Sequence, residues 1–277
     1  MTNTEHTGPW LFLGAGNMAT AIAAGAFKAG TMKPATTAAF DPNASRSGPI
    51  ESVFDDAEAA ADWLSKQGEP GGIVLATKPQ MFEAVASVWE PILRSSGPTL
   101  VASILAGTRS ETLAAGLGQN ARVVRVMPNT PIRLGLGMSA VAPGPRATPE
   151  DLARIEKLFG SIGETVRIEE SQMDAFTGVA GSGPAYVFYL AEAMVDAAMK
   201  LGFDRGDALT MVRQTVAGAG ALLAGSADDP GALRTAVTSK AGTTAAATDS
   251  LDELGVHEAV VRAIHAARDR GIEISQS

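Results

Sequence analysis

The sequence predicts a two-part chain: an α/β N-terminal domain built on a parallel sheet, then an all-α domain. Three observations carry this reading. From Trp10 to about Ile168, short apolar runs alternate with segments of helical period, the pattern of a sheet with helices on both faces. After Ile168 the strand-like runs stop and Ala-rich helical pattern continues to the end. At 277 residues the chain is long enough for two moderate domains. The pattern change divides it into residues 1–168 and 169–277.

Seven strands are expected: Trp10 to Leu13, Thr36 to Phe40, Gly72 to Ala76, Thr99 to Leu105, Arg122 to Val126, Gly137 to Ala142 and Glu164 to Ile168. Between them, helices are expected over Met18 to Lys28, Asp56 to Gln67, Gln80 to Leu93, Arg109 to Leu117 and Pro149 to Phe159. The last opens on Thr148-Pro149-Glu150-Asp151, a hydroxyl cap, a first-turn proline and an acid three residues after the cap. Downstream, helices are expected over Ser171 to Val179, Pro184 to Leu201, Arg205 to Ala224, Pro230 to Val237, Thr243 to Leu254 and His257 to Arg270. The Pro184 to Leu201 helix carries Val187, Leu190, Ala191, Met194, Ala198 and Leu201 on one stripe, with Tyr186, Phe188 and Tyr189 beyond it. That is more apolar face than a lone helix keeps in water, so this domain is expected to pair with a second copy.

Composition narrows the function. Net charge is −8 with no Lys/Arg cluster, which argues against a nucleic-acid partner. The absence of cysteine excludes disulfide and thiol chemistry and fits a reducing, cytoplasmic setting. None of His6, His257 and His265 has a second ligand at metal-site spacing, so no metal site is expected. The first ten residues lack a signal peptide's basic and apolar regions. The uncharged run Ala175 to Ala191 holds Gly181-Ser182-Gly183-Pro184 and meets Glu192 at once, so it reads as buried helix and no membrane partner is expected.

The first chemical motif is Leu11-Phe12-Leu13-Gly14-Ala15-Gly16-Asn17-Met18-Ala19. A strand feeds G-x-G-x-x-A and then a helix, with Gly14 for the tight turn, Gly16 for the approach of a pyrophosphate and Ala19 for close helix packing. Asp41 ends the second strand, where an acid bonds the adenosine ribose 2′-OH and points to NAD. Arg46, with Ser45 and Ser47, offers the opposite reading, a receptor for the 2′-phosphate of NADP. Asp41-Pro42 also suits a plain turn start. Ala76-Thr77-Lys78-Pro79-Gln80 follows another strand at the edge where such sheets open toward ligand, and Lys78 is placed for a ribose or nicotinamide. Met127-Pro128-Asn129-Thr130-Pro131 holds the corresponding place further on. In the second domain, Val237-Thr238-Ser239-Lys240-Ala241-Gly242-Thr243-Thr244 joins small hydroxyl residues and a glycine at a helix start. The free N–H groups of such a start hold an anion, and a substrate carboxylate fits.

These blocks, the Met127 to Pro131 loop being taken from Arg125-Val126 onward, and with Gly181-Ser182-Gly183-Pro184-Ala185-Tyr186, together resemble the Δ1-pyrroline-5-carboxylate reductase family across nearly the whole chain. The resemblance implies an N-terminal Rossmann-type domain, a helical C-terminal dimerisation domain interlocked with a second subunit, and often a ring of dimers. It implies reduction of a small cyclic imino acid to L-proline, with NADP(H) favoured and NAD(H) possible. By the family pattern the cofactor meets Gly14, Ala15, Gly16, Asn17, Met18, Ala19, Asp56, Ala76, Thr77, Lys78, Pro79, Leu105 and Ala106. The substrate meets Glu170, Gly242, Thr243 and Thr244. Hydride transfer to a protonated imine demands orientation more than a strong base. The Thr243 and Thr244 amides are therefore assigned to the carboxylate and the Thr244 hydroxyl, as catalytic group, to the ring nitrogen.

Four places depart from the family pattern. Lys240-Ala241 stand where proline and glycine are usual, Thr77 where valine is, Ala236 where some members carry a cofactor-contacting asparagine, and Ile132-Arg133-Leu134 where small residue, any residue, valine is commoner. Two rival readings exist. A hydroxyacid dehydrogenase of similar build needs a lysine acid within a helix, and the Pro184 helix offers only Lys200 at its end. A non-catalytic dinucleotide sensor is the rival from another class.

Overall fold

The structure is a computed structural model whose described residues are 6–43 and 48–276. The chain forms two units: one runs to Ser182 and takes back the chain from Ala267 onward, and the other is Gly183–Ala266.

The first unit is built on β1 (Trp10–Leu13), β2 (Thr37–Phe40), β3 (Ser52–Phe54), β4 (Gly72–Leu75), β5 (Thr99–Ser103), β6 (Ala121–Pro128), β7 (Gly137–Pro143) and β8 (Gly163–Arg167). Both faces of the sheet are covered, which is why the central strands are apolar throughout. Successive side chains alternate between two cores. Trp10, Phe12, Val74, Leu100 and Ala102 face one side, while Leu11, Leu13, Ile73, Leu75 and Val101 face the other. Helices α1 (Asn17–Ala29) and α5 (Pro149–Gly160) close the first core. Helices α2 (Ala57–Ser65), α3 (Phe82–Ser96) and α4 (Ser110–Leu117) close the second.

The strand order is β3-β2-β1-β4-β5-β6-β7-β8, so the chain reverses direction across the sheet between β1 and β4. In a doubly wound sheet that reversal opens a crevice at the strand carboxyl ends. Two expectations need correcting. Among the described residues there are eight strands rather than seven, because β3 is only three residues long and shows no readable alternation. The sheet is also not all parallel: β7 runs antiparallel to β6, pairing Val124 with Pro143 and Pro128 with Ser139. The link between them holds only a 3-10 turn at Thr130–Leu134, too short for the crossover that parallel neighbours need. The cap of α5 is as expected, with Thr148 Oγ1 accepting the Asp151 amide at 3.2 Å and Asp151 Oδ2 accepting the Thr148 amide at 3.0 Å.

Residues 169–182 pack with the sheet unit, so the break between units lies later than the change in sequence pattern. Met173, at the start of the short α6 (Met173–Phe176), is buried against Ala140 and Ala142. A single π-helical turn follows at Thr177–Gly181, closed by the Ser182 amide donating to the Thr177 carbonyl at 2.8 Å. The Asn129 amide donates to the Ala180 carbonyl at 3.0 Å and its oxygen accepts the Met138 amide at 2.9 Å, tying that turn to the sheet.

The second unit holds α7 (Gly183–Lys200), α8 (Arg205–Gly225), α9 (Pro230–Ala236), α10 (Thr243–Glu253) and the first part of α11 (Val256–Gln276). Its buried apolar core is small: Val195, Ala208 and Val212, with Ala191, Met194, Ala198, Leu209 and Val216 around them. Phe188, Tyr189 and Leu190 are 66, 77 and 56% exposed. Among the described residues no helix is long and apolar enough to cross a membrane.

Candidate functional site

The first unit gathers the turns after β1, β4 and β5 at one edge of the sheet. The Ala76 amide donates to the Leu13 carbonyl at 2.8 Å and the Ile104 amide to the Leu75 carbonyl at 3.0 Å, so the three strands end in step. Gly14 adopts φ +98°, and a Cβ there would lie 2.9 Å from the Ala76 carbonyl oxygen. Only glycine fits. Gly16 differs: it caps α1 at φ −76°, and a Cβ there would meet nothing within 4 Å. No protein atom demands glycine at this position, yet a pyrophosphate approaching the backbone does. Asn17 and Met18 open α1, whose first turn has no acidic residue and no side-chain cap, while Ala19 is fully buried against the sheet. An anion is thus favoured at this helix start, and the cradle fits a dinucleotide.

Asp41 is also placed at this turn. Its Oδ2 accepts the Ala15 amide at 3.0 Å and its Oδ1 the Asn43 amide at 3.0 Å, so it both opens a turn and faces the glycine loop. Ser45, Arg46 and Ser47 lie outside the described residues. Thr77 packs beside Gly14, and its hydroxyl is buried without a partner among the described residues. Lys78 is exposed at the head of the 3-10 turn Pro79–Met81. Leu105 is buried in the second core, Ala106 is exposed, and Gly107 turns the chain at φ +71°. Asp56 caps α2, its Oδ1 accepting the Ala59 amide at 2.7 Å.

Glu170 stands among partners of its own unit. Its Oε1 accepts the Ser110 amide at 2.7 Å and Arg125 Nη1 at 2.8 Å, and its Oε2 accepts the Ser110 hydroxyl. Burial opposes its charge, but the Ser110 hydroxyl and amide and the Arg125 guanidinium hold its carboxyl below the usual range. Sequence reasoning missed Ser110, and quoted Arg125 within a family block without a partner or a role. The role of Arg125 could have been found, since a cation flanked by valines within a strand needs a buried partner.

The second unit carries the Val237 to Thr244 segment. Val237 ends α9, the Thr238 hydroxyl donates to the Arg234 carbonyl at 2.7 Å, and Ala241 turns the chain at φ +57°, a conformation unusual for a residue with a Cβ. The Gly242 amide donates to the Ser239 carbonyl at 3.0 Å, and a side chain on Gly242 would collide with Ser239 Oγ. Gly242 then caps α10 with no side-chain acceptor. The first helical bond runs from the Ala246 amide to the Gly242 carbonyl at 3.1 Å, leaving the Thr243, Thr244 and Ala245 amides without a helical acceptor. Lys240 is exposed and Thr244 half-buried.

Known proteins give these two units a common context. Residues 170–274 match a model described as pyrroline-5-carboxylate reductase dimerisation, and residues 11–107 one described as NADP oxidoreductase coenzyme F420-dependent. The pyrroline-5-carboxylate reductase of Methanosarcina acetivorans is 38% identical, over 96% of this chain and 97% of its own. The pyrroline-5-carboxylate reductase structure from Coxiella burnetii superposes with a TM-score of 0.87 at 28% identity, covering 98% of this chain and all of that one. The crystal structure of Plasmodium falciparum pyrroline carboxylate reductase with NADP bound gives 0.83 at 27% identity, covering 97% and 98%.

Proposed function

The chain belongs to the pyrroline-5-carboxylate reductase family, and from that premise we propose how its residues divide the work. It is an NAD(P)-dependent oxidoreductase that reduces Δ1-pyrroline-5-carboxylate to L-proline, the last step of proline biosynthesis. When bound, the reduced nicotinamide supplies the hydride that adds to C5 of the cyclic imine. Gly14 to Ala19, Ala76 to Pro79 and the Leu105-Ala106 turn hold the dinucleotide. Asp41 and Asp56 stand beside it.

In the second unit, the Thr243 and Thr244 amides bind the substrate carboxylate, with Gly242 allowing the tight turn against Ser239 that precedes them. The Thr244 hydroxyl donates to the ring nitrogen of the neutral imine and relays a proton to it from water, after which its oxygen accepts the N–H of the protonated imine. The observation that carries these roles is the uncapped start of α10, where amides without helical acceptors lie beside a hydroxyl. Orientation then replaces acid–base power, because a protonated imine is already electrophilic. The exposed face of α7 meets a second copy in a homodimer, assembled further as a ring of dimers in the cytoplasm.

One comparison tests the reading: rates of NADPH and NADH oxidation with pyrroline-5-carboxylate and with its six-membered homologue. Turnover of the five-membered imine with NADPH is expected. A protein that binds NADPH yet never oxidises it with this imine is a dinucleotide sensor instead.

A further inference from the structure

We infer that Glu170 is a positioning residue for the dinucleotide site, acting through the first turn of α4 rather than by touching the imine. The inference rests on the reading above that the Leu105-Ala106 turn contacts the dinucleotide. Glu170 joins three elements: its own segment before α6, Arg125 of β6 and the first residue of α4. Both carboxylate oxygens are taken, one by the Ser110 amide and Arg125, the other by the Ser110 hydroxyl. A carboxylate at a helix N-terminus also meets the positive end of the helix dipole.

Only Gly107, Thr108 and Arg109 separate Ala106 from Ser110, so the turn has little slack once Ser110 is fixed. Its other side is also closed. Gly107 lies against Ile274 near the end of α11, and a Cβ on Gly107 would collide with Ile274 Cγ2. The turn after β5 is therefore clamped through Ser110 from one direction and through Gly107 from the other. Arg125 makes the clamp hard to release: its side chain is 6% exposed, and without Glu170 its charge would be buried unpaired. A substrate carboxylate would meet a negative group here, which Glu170's engagement inside its own unit does not favour.

The test uses the full chain and NADPH itself, titrated by nucleotide fluorescence with wild type, Glu170→Gln and Ser110→Ala. Both variants should weaken NADPH binding by about three- to tenfold, with imine KM at saturating NADPH within about twofold of wild type. A raised imine KM with unchanged NADPH affinity would overturn the inference and return Glu170 to the substrate. Should Glu170→Gln fail to fold, Gly107→Ala probes the same turn from the Ile274 side, and unchanged NADPH affinity there overturns the clamp equally. If wild type binds no NADPH at all, the reading beneath the inference fails first, and the two failures stay distinguishable.

Discussion

The Asp41 carboxylate accepts the amide of Ala15 at 3.0 Å, which draws the end of β2 onto the glycine turn after β1. A negative charge is thus fixed where the adenosine ribose of a dinucleotide is expected. It suits a 2′-hydroxyl and repels a 2′-phosphate. Asp41→Ser should therefore shift binding toward NADPH over NADH by about fivefold, the effect of roughly 1 kcal/mol between partly solvated charges. Dissociation constants for both nucleotides measure this, and an unchanged ratio would remove Asp41 from cofactor choice.

Thr244 stands alone as the proposed hydrogen-bond donor to the ring nitrogen. Thr244→Ala should lower kcat/KM for the imine by about 10- to 100-fold, the range for losing a hydrogen bond to a charged group, and leave NADPH affinity unchanged. Thr244→Ser should restore most of the rate. Near-wild-type turnover in the alanine variant would sink the assignment.

Ala241, at φ +57°, holds a conformation that costs a residue with a Cβ about 1 kcal/mol. Ala241→Gly should leave stability within about 1 kcal/mol, as relief of strain and lost unfolded-state restriction offset each other. Ala241→Val adds a branched Cβ and should both destabilise and raise the imine KM. Thermal melts and initial rates on the pair decide whether the loop shape serves the substrate.

The Thr77 hydroxyl is buried with no partner among the described residues. An unpaired buried hydroxyl costs about 1–3 kcal/mol, so Thr77→Val should raise the melting temperature of the nucleotide-free protein. A lower melting temperature would mean that the hydroxyl is paired after all.

Acid should unfold the first unit through its clamped carboxylates. For Asp151, burial opposes the charge, but the Arg122 guanidinium at 2.8 and 3.0 Å, together with the Thr148 amide and hydroxyl, depresses the carboxyl in the fold. Glu170 is depressed likewise by Ser110 and Arg125. A carboxyl depressed in the fold binds protons more readily unfolded, so its contribution is complete above the ordinary carboxylate range, about pH 4. It then disappears as pH falls through the lower folded value. Denaturant midpoints should stay level near neutrality and drop below about pH 4. Asp151→Asn should flatten part of that drop, and an identical slope would exclude the pair as its source.

What the sequence made legible was local. The Gly14 to Ala19 turn, the Thr148 cap and the start of α10 at Thr243 each depend on a few neighbouring residues, and each stands where expected. β3 was illegible because three residues carry no period, and the reversed β7 because alternation says nothing about strand direction. Glu170's partners were hidden by distance along the chain: Ser110 lies 60 residues away and Arg125 45. The same holds for the residues from Ala267 onward, whose helical pattern could not disclose that they return to the sheet unit.

The second unit has three buried apolar side chains at its centre and wide exposed aromatic surface on α7. In the proposed homodimer a fold so thin draws its stability from association, and association depends on concentration. Dilution then acts on these helices as a denaturant does. The proposed imine-binding loop before α10 belongs to the concentration-sensitive unit, whereas the glycine turn belongs to one with two full cores of its own. A diluted sample would therefore keep its grip on nucleotide after it had lost its grip on the imine.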